Sequence, residues 1–111
     1  MAEQFLYLTT KGRTSGEPRQ IEIWFAEHAG RHYLVSEKRE ESNWVKNIER
    51  DPKVAYSIGT RDAPQSGIAT RQATARVIRP NTEPDLEKTV AALMHQKYKW
   101  SDGLIVELTP H

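Results

Sequence analysis

The chain has 111 residues, with 16 basic and 15 acidic side chains, a formal net charge of +1, 37% apolar residues and no cysteine. That size fits one domain spanning residues 1–111, the near-neutral balance offers no broad field to draw nucleic acid, and the missing thiols exclude disulfides, thiolate nucleophiles, thiolate–zinc sites and iron–sulfur clusters. Met1 to Leu8 shows neither a basic n-region nor an apolar h-region, and no apolar run approaches the roughly 18 residues of a membrane span, so a cytoplasmic protein with no signal peptide and no membrane span is expected.

Phe5 to Thr10 suits either a short first strand or the end of an N-terminal helix. Lys11 to Pro18 follows as a loop punctuated by Gly12, Gly16 and Pro18. Arg19 to Ala26 alternates, with Ile21, Ile23 and Phe25 on one face and Gln20, Glu22 and Trp24 on the other, as one strand does. Glu27 to Gly30 reads as a hairpin turn, and Arg31 to Ser36 as the return strand. Glu40 to Arg50 predicts a short helix, with Trp44, Val45 and Ile48 as its apolar stripe, Ser42 as an N-cap and Asp51-Pro52 as its stop.

Lys53 to Ile58 is expected as a strand with Val54, Tyr56 and Ile58 on one side. A polar loop then leads to one long or bent strand over Ile68 to Arg79. Thr82, Pro84 and Asp85 mark the start of a second helix, in which Leu86, Val90, Leu93 and Met94 keep helical spacing to about Tyr98. Leu104 to Thr109 closes the chain as a strand with Leu104, Val106 and Leu108 on one face. Short connections favour antiparallel pairing. The fold expected is mainly β with two helices, an antiparallel closed or half-closed barrel. A flat sheet with helices on one face is the other architecture compatible with this order.

The loop Gly12-Arg13-Thr14-Ser15-Gly16 combines turn-permitting glycines, a guanidinium that forks onto phosphate or carboxylate, and two hydroxyls, with Lys11 and Arg19 flanking it. Read by itself, it suits either a solvated turn or an anion site. It has neither Walker A nor dinucleotide-fingerprint spacing. Ser36-Glu37-Lys38-Arg39 leaves a strand where a helix begins; it suits an anion contact or a charged surface linker. On the first helix, Trp44 fits the core and Asn47 sits beside the apolar stripe, placed to bond a ligand or a nearby backbone group. His28 and His32 flank a turn rather than sharing a helix face, so no metal site is expected. No Ser/His/Asp order and no buried carboxylate pair is evident, so no catalytic side chain is assigned. Chemistry here would come from a bound cofactor.

Leu8 to Arg19 resembles the opening signature of the deazaflavin-dependent nitroreductases, within the flavin/deazaflavin oxidoreductases related to pyridoxamine 5′-phosphate oxidase. Asn43 to Val54 is similar to that family's helix, Asp-Pro turn and next strand; Ala73 to Ile78 and Leu104 to Pro110 are similar to its later strands. The resemblance implies an FMN-binding split β-barrel, a homodimer, and F420 or FMN as cofactor. It places Gly12, Arg13, Thr14 and Ser15 at the cofactor's phosphate or acidic tail, Ser36 and Lys38 as further holders, Trp44 and Asn47 along the groove, and Arg19 and Trp24 toward the ring. Tyr33, Tyr56, Tyr98 and Trp100 are candidates for the substrate side. Three departures stand out: Thr14 where the family often has Lys, Ile21 and Glu22 where a proline is common, and Glu37 beside the anion site. The function implied is an oxidoreductase passing hydride to a small organic acceptor such as an enone, quinone or nitro compound. A non-catalytic carrier, storage or sensor protein for the same cofactor is the alternative.

Overall fold

A computed structural model of the chain describes residues 3–111. Seven strands and two helices alternate along it: β1 (Phe5–Lys11), β2 (Pro18–Ile23), β3 (Phe25–His28), β4 (Arg31–Ser36), α1 (Asn43–Arg50), β5 (Lys53–Gly59), β6 (Ile68–Ile78), α2 (Pro84–Tyr98) and β7 (Leu104–Pro110). The strands form one sheet in the order β2-β1-β5-β6-β7-β4-β3, and every neighbouring pair is antiparallel.

Phe5 to Thr10 resolves to a strand, paired on one side with β2 and on the other with β5. The stretch expected as one strand over Arg19 to Ala26 is two strands, and they occupy opposite edges of the sheet. Ile23 ends one edge and Phe25 begins the other, so the sheet curls until its edges meet at Trp24. Alternation survives this corner: Ile21, Ile23 and Phe25 all pack into the same interior cluster. A period of two reports which way side chains face and is silent on which strand supplies the hydrogen bonds. The result is a curled half-barrel, a split barrel.

The barrel interior is filled by Leu6 and Leu8 from β1, Leu34 from β4, Val54, Tyr56 and Ile58 from β5, and Leu104, Val106 and Leu108 from β7. Val45 and Ile48 of α1 join this cluster. The other face of β4 and β7 is also apolar. Tyr33, Val35, Ile78 and Ile105 pack there against Val90 and Met94 of α2, with Leu86 and Leu93 at the margin. Covered on both faces, β4 is buried from His32 to Ser36 without alternation. The expected helix over Glu40 to Arg50 is divided. A 3₁₀ turn spans Arg39–Glu41, Ser42 is extended, and α1 starts at Asn43. Arg39 has a left-handed φ of 54°, which directs the chain out of β4 before the helix begins.

Candidate functional site

The loop joining β1 to β2 is a tight turn. The Gly12 N–H donates to the Glu17 carbonyl at 2.8 Å and the Gly16 N–H to the Gly12 carbonyl at 2.8 Å. Gly16 adopts a left-handed φ of 73°. A Cβ at Gly12 would lie 2.8 Å from Ser15 Oγ and 3.1 Å from the Glu17 carbonyl oxygen, so the turn closes this tightly only around glycine. Ser15 Oγ accepts the Glu17 N–H at 3.2 Å, which leaves its own proton for another partner.

Arg13 is anchored from α1. Its backbone N–H and its Nη1 both donate to Asn47 Oδ1, at 3.2 and 3.1 Å, and its Nη2 donates to Asn43 Oδ1 at 3.3 Å. Asn43 and Asn47 are one helical turn apart, so their carboxamides share a face. Asn47 is buried and donates through Nδ2 to Thr10 Oγ1 at 3.0 Å, tying the helix to the end of β1. Both acceptors of the guanidinium are neutral amides, so its charge is oriented without being cancelled.

Around this turn lies a cleft of about 340 Å³ lined by Lys11 to Gly16 and by Arg50 and Asp51. Three cations face one carboxylate there, and Asp51 already accepts the Lys53 N–H at 3.1 Å. Among the described residues Lys11, Arg13 and Arg50 form no ion pair. This donor set, with close backbone approach at Gly12, fits a phosphate or carboxylate.

A second cleft, of about 670 Å³, is lined by Trp24, Trp44 and Trp100, by Ser36 and Lys38, and on a further side by Phe5, Glu22 and Arg61. All three tryptophans of the chain therefore border one cavity. Glu22 accepts from Tyr7 Oη at 2.9 Å and from Arg61 Nε at 3.0 Å; the Arg61 bond outweighs partial desolvation and holds the carboxyl below its ordinary range. Ser42 and Trp44 at the start of α1 border this cleft, while Arg50 at its end borders the other. Eight residues of helix separate the two by roughly 12 Å at 1.5 Å per residue.

The structure thus divides the nine residues singled out for cofactor binding. Gly12, Arg13, Thr14 and Ser15 line the basic cleft, and Ser36, Lys38 and Trp44 line the aromatic one. Asn47 stands behind Arg13 as its anchor and lines neither. Arg19 also lines neither; it is exposed on β2 with Glu17 at 3.9 Å. Ser36 Oγ donates to the Arg39 carbonyl at 2.9 Å and so accepts from Ser42 Oγ at 2.7 Å. Its single proton is spent inside the turn, which leaves it only acceptor capacity toward a ligand.

The model of one protein family, described as F420H(2)-dependent quinone reductase, matches residues 1–99. This chain belongs to that family. No curated protein matches the sequence. Among solved structures, HutZ, the heme storage protein from Vibrio cholerae, is 18% identical, with a TM-score of 0.74 over 96% of this chain and 81% of that one. A putative pyridoxamine 5′-phosphate oxidase from Listeria innocua is 14% identical, with a TM-score of 0.70 over 98% and 85%. An F420-H2 dependent reductase, FDR-A, is 16% identical, with a TM-score of 0.63 over 97% and 96%. At these identities the likeness is one of fold, and it agrees with the split barrel.

Several residues of this family member's clefts escaped the sequence reading. Arg50 enters the basic cleft from the end of α1, and Asn43 completes the fork on Arg13. Glu22 and Arg61 meet from strand and loop, 39 positions apart. The only sequence signal for Arg50 is its place before Asp51-Pro52, where a helix ends and a cation is favoured. Tyr33 and Tyr56, considered for the substrate side, are buried and line neither cleft. Tyr98 stacks on Trp24, and Trp100 does border the aromatic cleft. No helix among the described residues is long and apolar enough to cross a membrane.

Proposed function

We propose that this chain is an oxidoreductase that holds a deazaflavin of the F420 type and reduces a small organic acceptor of the quinone, enone or nitro class. The observation that carries this reading is the basic turn, with an Arg13 guanidinium held open by two amides and joined by Lys11 and Arg50 in one cleft. Family membership supports the same assignment. When bound, the reduced deazaflavin supplies the hydride. The protein's own part is to grip and orient. Arg13, Lys11, Arg50 and the Thr14 and Ser15 hydroxyls hold the anionic end, and the tryptophan-lined cleft at the other end of α1 takes flat apolar groups and excludes water from them. Lys38 and Trp44 border that second cleft. The working unit is proposed to be a homodimer, since a chain of this length buries a thin core and the split barrel leaves β2 and β3 as open edges.

Titration of the purified protein with F420 and with FMN, read by fluorescence and by melting temperature, tests this. F420 is expected to bind more tightly, and Arg13→Ala to weaken it by about 1.5–3 kcal/mol, the usual worth of a charge-assisted hydrogen bond. Preferred binding of FMN would reassign the cofactor, and binding of neither would end the proposal. Binding without turnover of menadione, cyclohexenone or a nitroarene by reduced F420 would make the protein a carrier instead.

A further inference from the structure

Glu37-Lys38-Arg39-Glu40-Glu41 is a run of charged residues, and every one of them is exposed. It leaves β4 after the buried Ser36 and ends at Ser42, where α1 begins. Ser36 and Ser42 close its base, hydroxyl to hydroxyl at 2.7 Å, and both border the large cleft. Glu37 and Lys38 border that cleft too, so the run forms part of one wall. No residue of the 3₁₀ turn at Arg39–Glu41 is buried. Apart from the Ser36 bond to the Arg39 carbonyl, the turn is tied to the body of the protein by charge. Arg39 Nη2 donates to Asp102 Oδ1 at 2.8 Å, in the connection from α2 to β7. Glu40 lies 3.6 Å from the guanidinium of Arg79, just after β6, which also pairs with Glu49 of α1. Glu41 lies 3.9 Å from Lys46 Nζ on α1. Each residue of the turn is thus paired to a different part of the fold. Arg39 meanwhile holds a left-handed φ of 54°, which a residue with a Cβ keeps only under restraint from its surroundings.

We propose that residues 37–41 form a flap on the large cleft, latched by these ion pairs, so that ionic strength sets how often the cleft opens. A segment with no buried apolar side chain opens at low free energy while the rest of the protein stays folded. The pairs that close it are exposed, so each is weak, and salt screens all of them together. The flanking elements are anchored differently. Leu34 and Val35 of β4 and Val45 and Ile48 of α1 are packed in the two apolar clusters, so the motion ends at Ser36 and Ser42. The flap is a property of the chain without ligand, whichever molecule the cleft takes.

The tryptophans supply the test, since all of them border this cleft and their emission reports its opening. Acrylamide, an uncharged quencher, is titrated into the ligand-free protein from about 20 mM to about 500 mM NaCl, which shortens the Debye length several-fold, with free N-acetyltryptophanamide as the reference. The quenching constant is expected to rise with salt. Over the same range the Glu41 and Ser42 amides, which bond the Lys38 and Arg39 carbonyls, are expected to exchange with deuterium roughly 2- to 5-fold faster, while amides of β5 and β6 keep their rates. Asp102→Asn and Glu40→Gln are each expected to raise both readouts at low salt and to shrink the response to salt, and Asp102→Glu to behave as wild type. Quenching and exchange that ignore both salt and these substitutions would overturn the flap. Exchange that quickens equally in β5 and β6 would overturn it as well, since the whole fold would then be loosening. A salt response undiminished in both Asp102→Asn and Glu40→Gln would remove the latch. No cofactor or acceptor enters these measurements, so they stand or fall separately from the oxidoreductase reading.

Discussion

Asn47 holds together three pieces of the molecule with one carboxamide: the end of β1 through Thr10, the loop through Arg13, and α1, on which it sits. Exchanging it for aspartate would place a carboxylate on Arg13, so Asn47→Asp is expected to lower affinity for an anionic cofactor in the same titration that tests Arg13→Ala. His32 makes a second case. It is buried beside Tyr56 and Phe25, neither ring nitrogen has a well-aligned hydrogen-bond partner among the described residues, and Glu27 Oε2 lies 3.3 Å from Nε2. Burial, only partly opposed by Glu27, pushes its pKa below the ordinary value of 6.5. The folded state then favours the neutral ring, so its contribution is complete above about pH 6.5 and is lost as pH falls toward the folded pKa. His32→Leu is expected to flatten the fall in melting temperature over that window and to be neutral or stabilising at its acid end. The loop cations were legible in the sequence because Gly, Arg, Thr and Ser declare their chemistry by type. The anchoring role of Asn47 was not, since its partner Arg13 lies 34 positions away.

Among the elements, alternation and helical spacing located both helices and strands β4 to β7, because each has an apolar face that must be buried, while the pattern of β1 suits strand or helix and β2 and β3 read as one strand. What local pattern could not convey is where hydrogen-bond partners change, as they do at Trp24, or where a turn pre-empts a helix, as at Arg39–Glu41. The connection from α2 into β7 shows how closely elements meet. A Cβ on Gly103 would fall 2.4 Å from the Ser36 carbonyl oxygen and 2.6 Å from Val35 Cγ1. Gly103→Ala is therefore expected to push β7 away from the end of β4, at a cost of about 1–3 kcal/mol by chemical denaturation. Ser36 is one of the lining residues of the aromatic cleft, so acceptor KM is expected to shift with it.

At the scale of the whole molecule, a buried carboxylate joins the two sides of the fold. Glu107 on β7 accepts from Tyr33 Oη at 2.9 Å and from Arg76 Nε at 3.1 Å, and the Arg31 guanidinium lies 3.8 Å away. Arg76 continues to Glu83 at the start of α2. Burial by itself would raise the Glu107 pKa, but the two hydrogen bonds and two guanidiniums outweigh it and hold the carboxyl below its ordinary value. The same burial and the bond to Glu107 lift the Tyr33 hydroxyl to about 12. A depressed carboxylate pKa means stability that is present above the unfolded value and is lost as pH falls through the folded one. Glu107→Gln is expected to remove that loss below about pH 4.5 and to cost about 1–3 kcal/mol at neutral pH, where Tyr33 and Arg76 lose their charged partner. Urea unfolding of both proteins across pH 3–7 checks this, and parallel curves would sink it.

By itself the sequence determined that the chain is mainly β with two helices and without thiol chemistry, where most of its elements lie, and that Gly12 to Gly16 is a turn carrying a cation and two hydroxyls. These follow from residue type and short-range periodicity, which act within a few positions of the chain. Tertiary structure alone decided that β2 and β3, one residue apart, lie at opposite sheet edges, that Arg50 joins Arg13, and that all three tryptophans border one cavity. Those facts depend on how a twisted sheet closes on itself, a property of all seven strands together that no local window of the sequence contains.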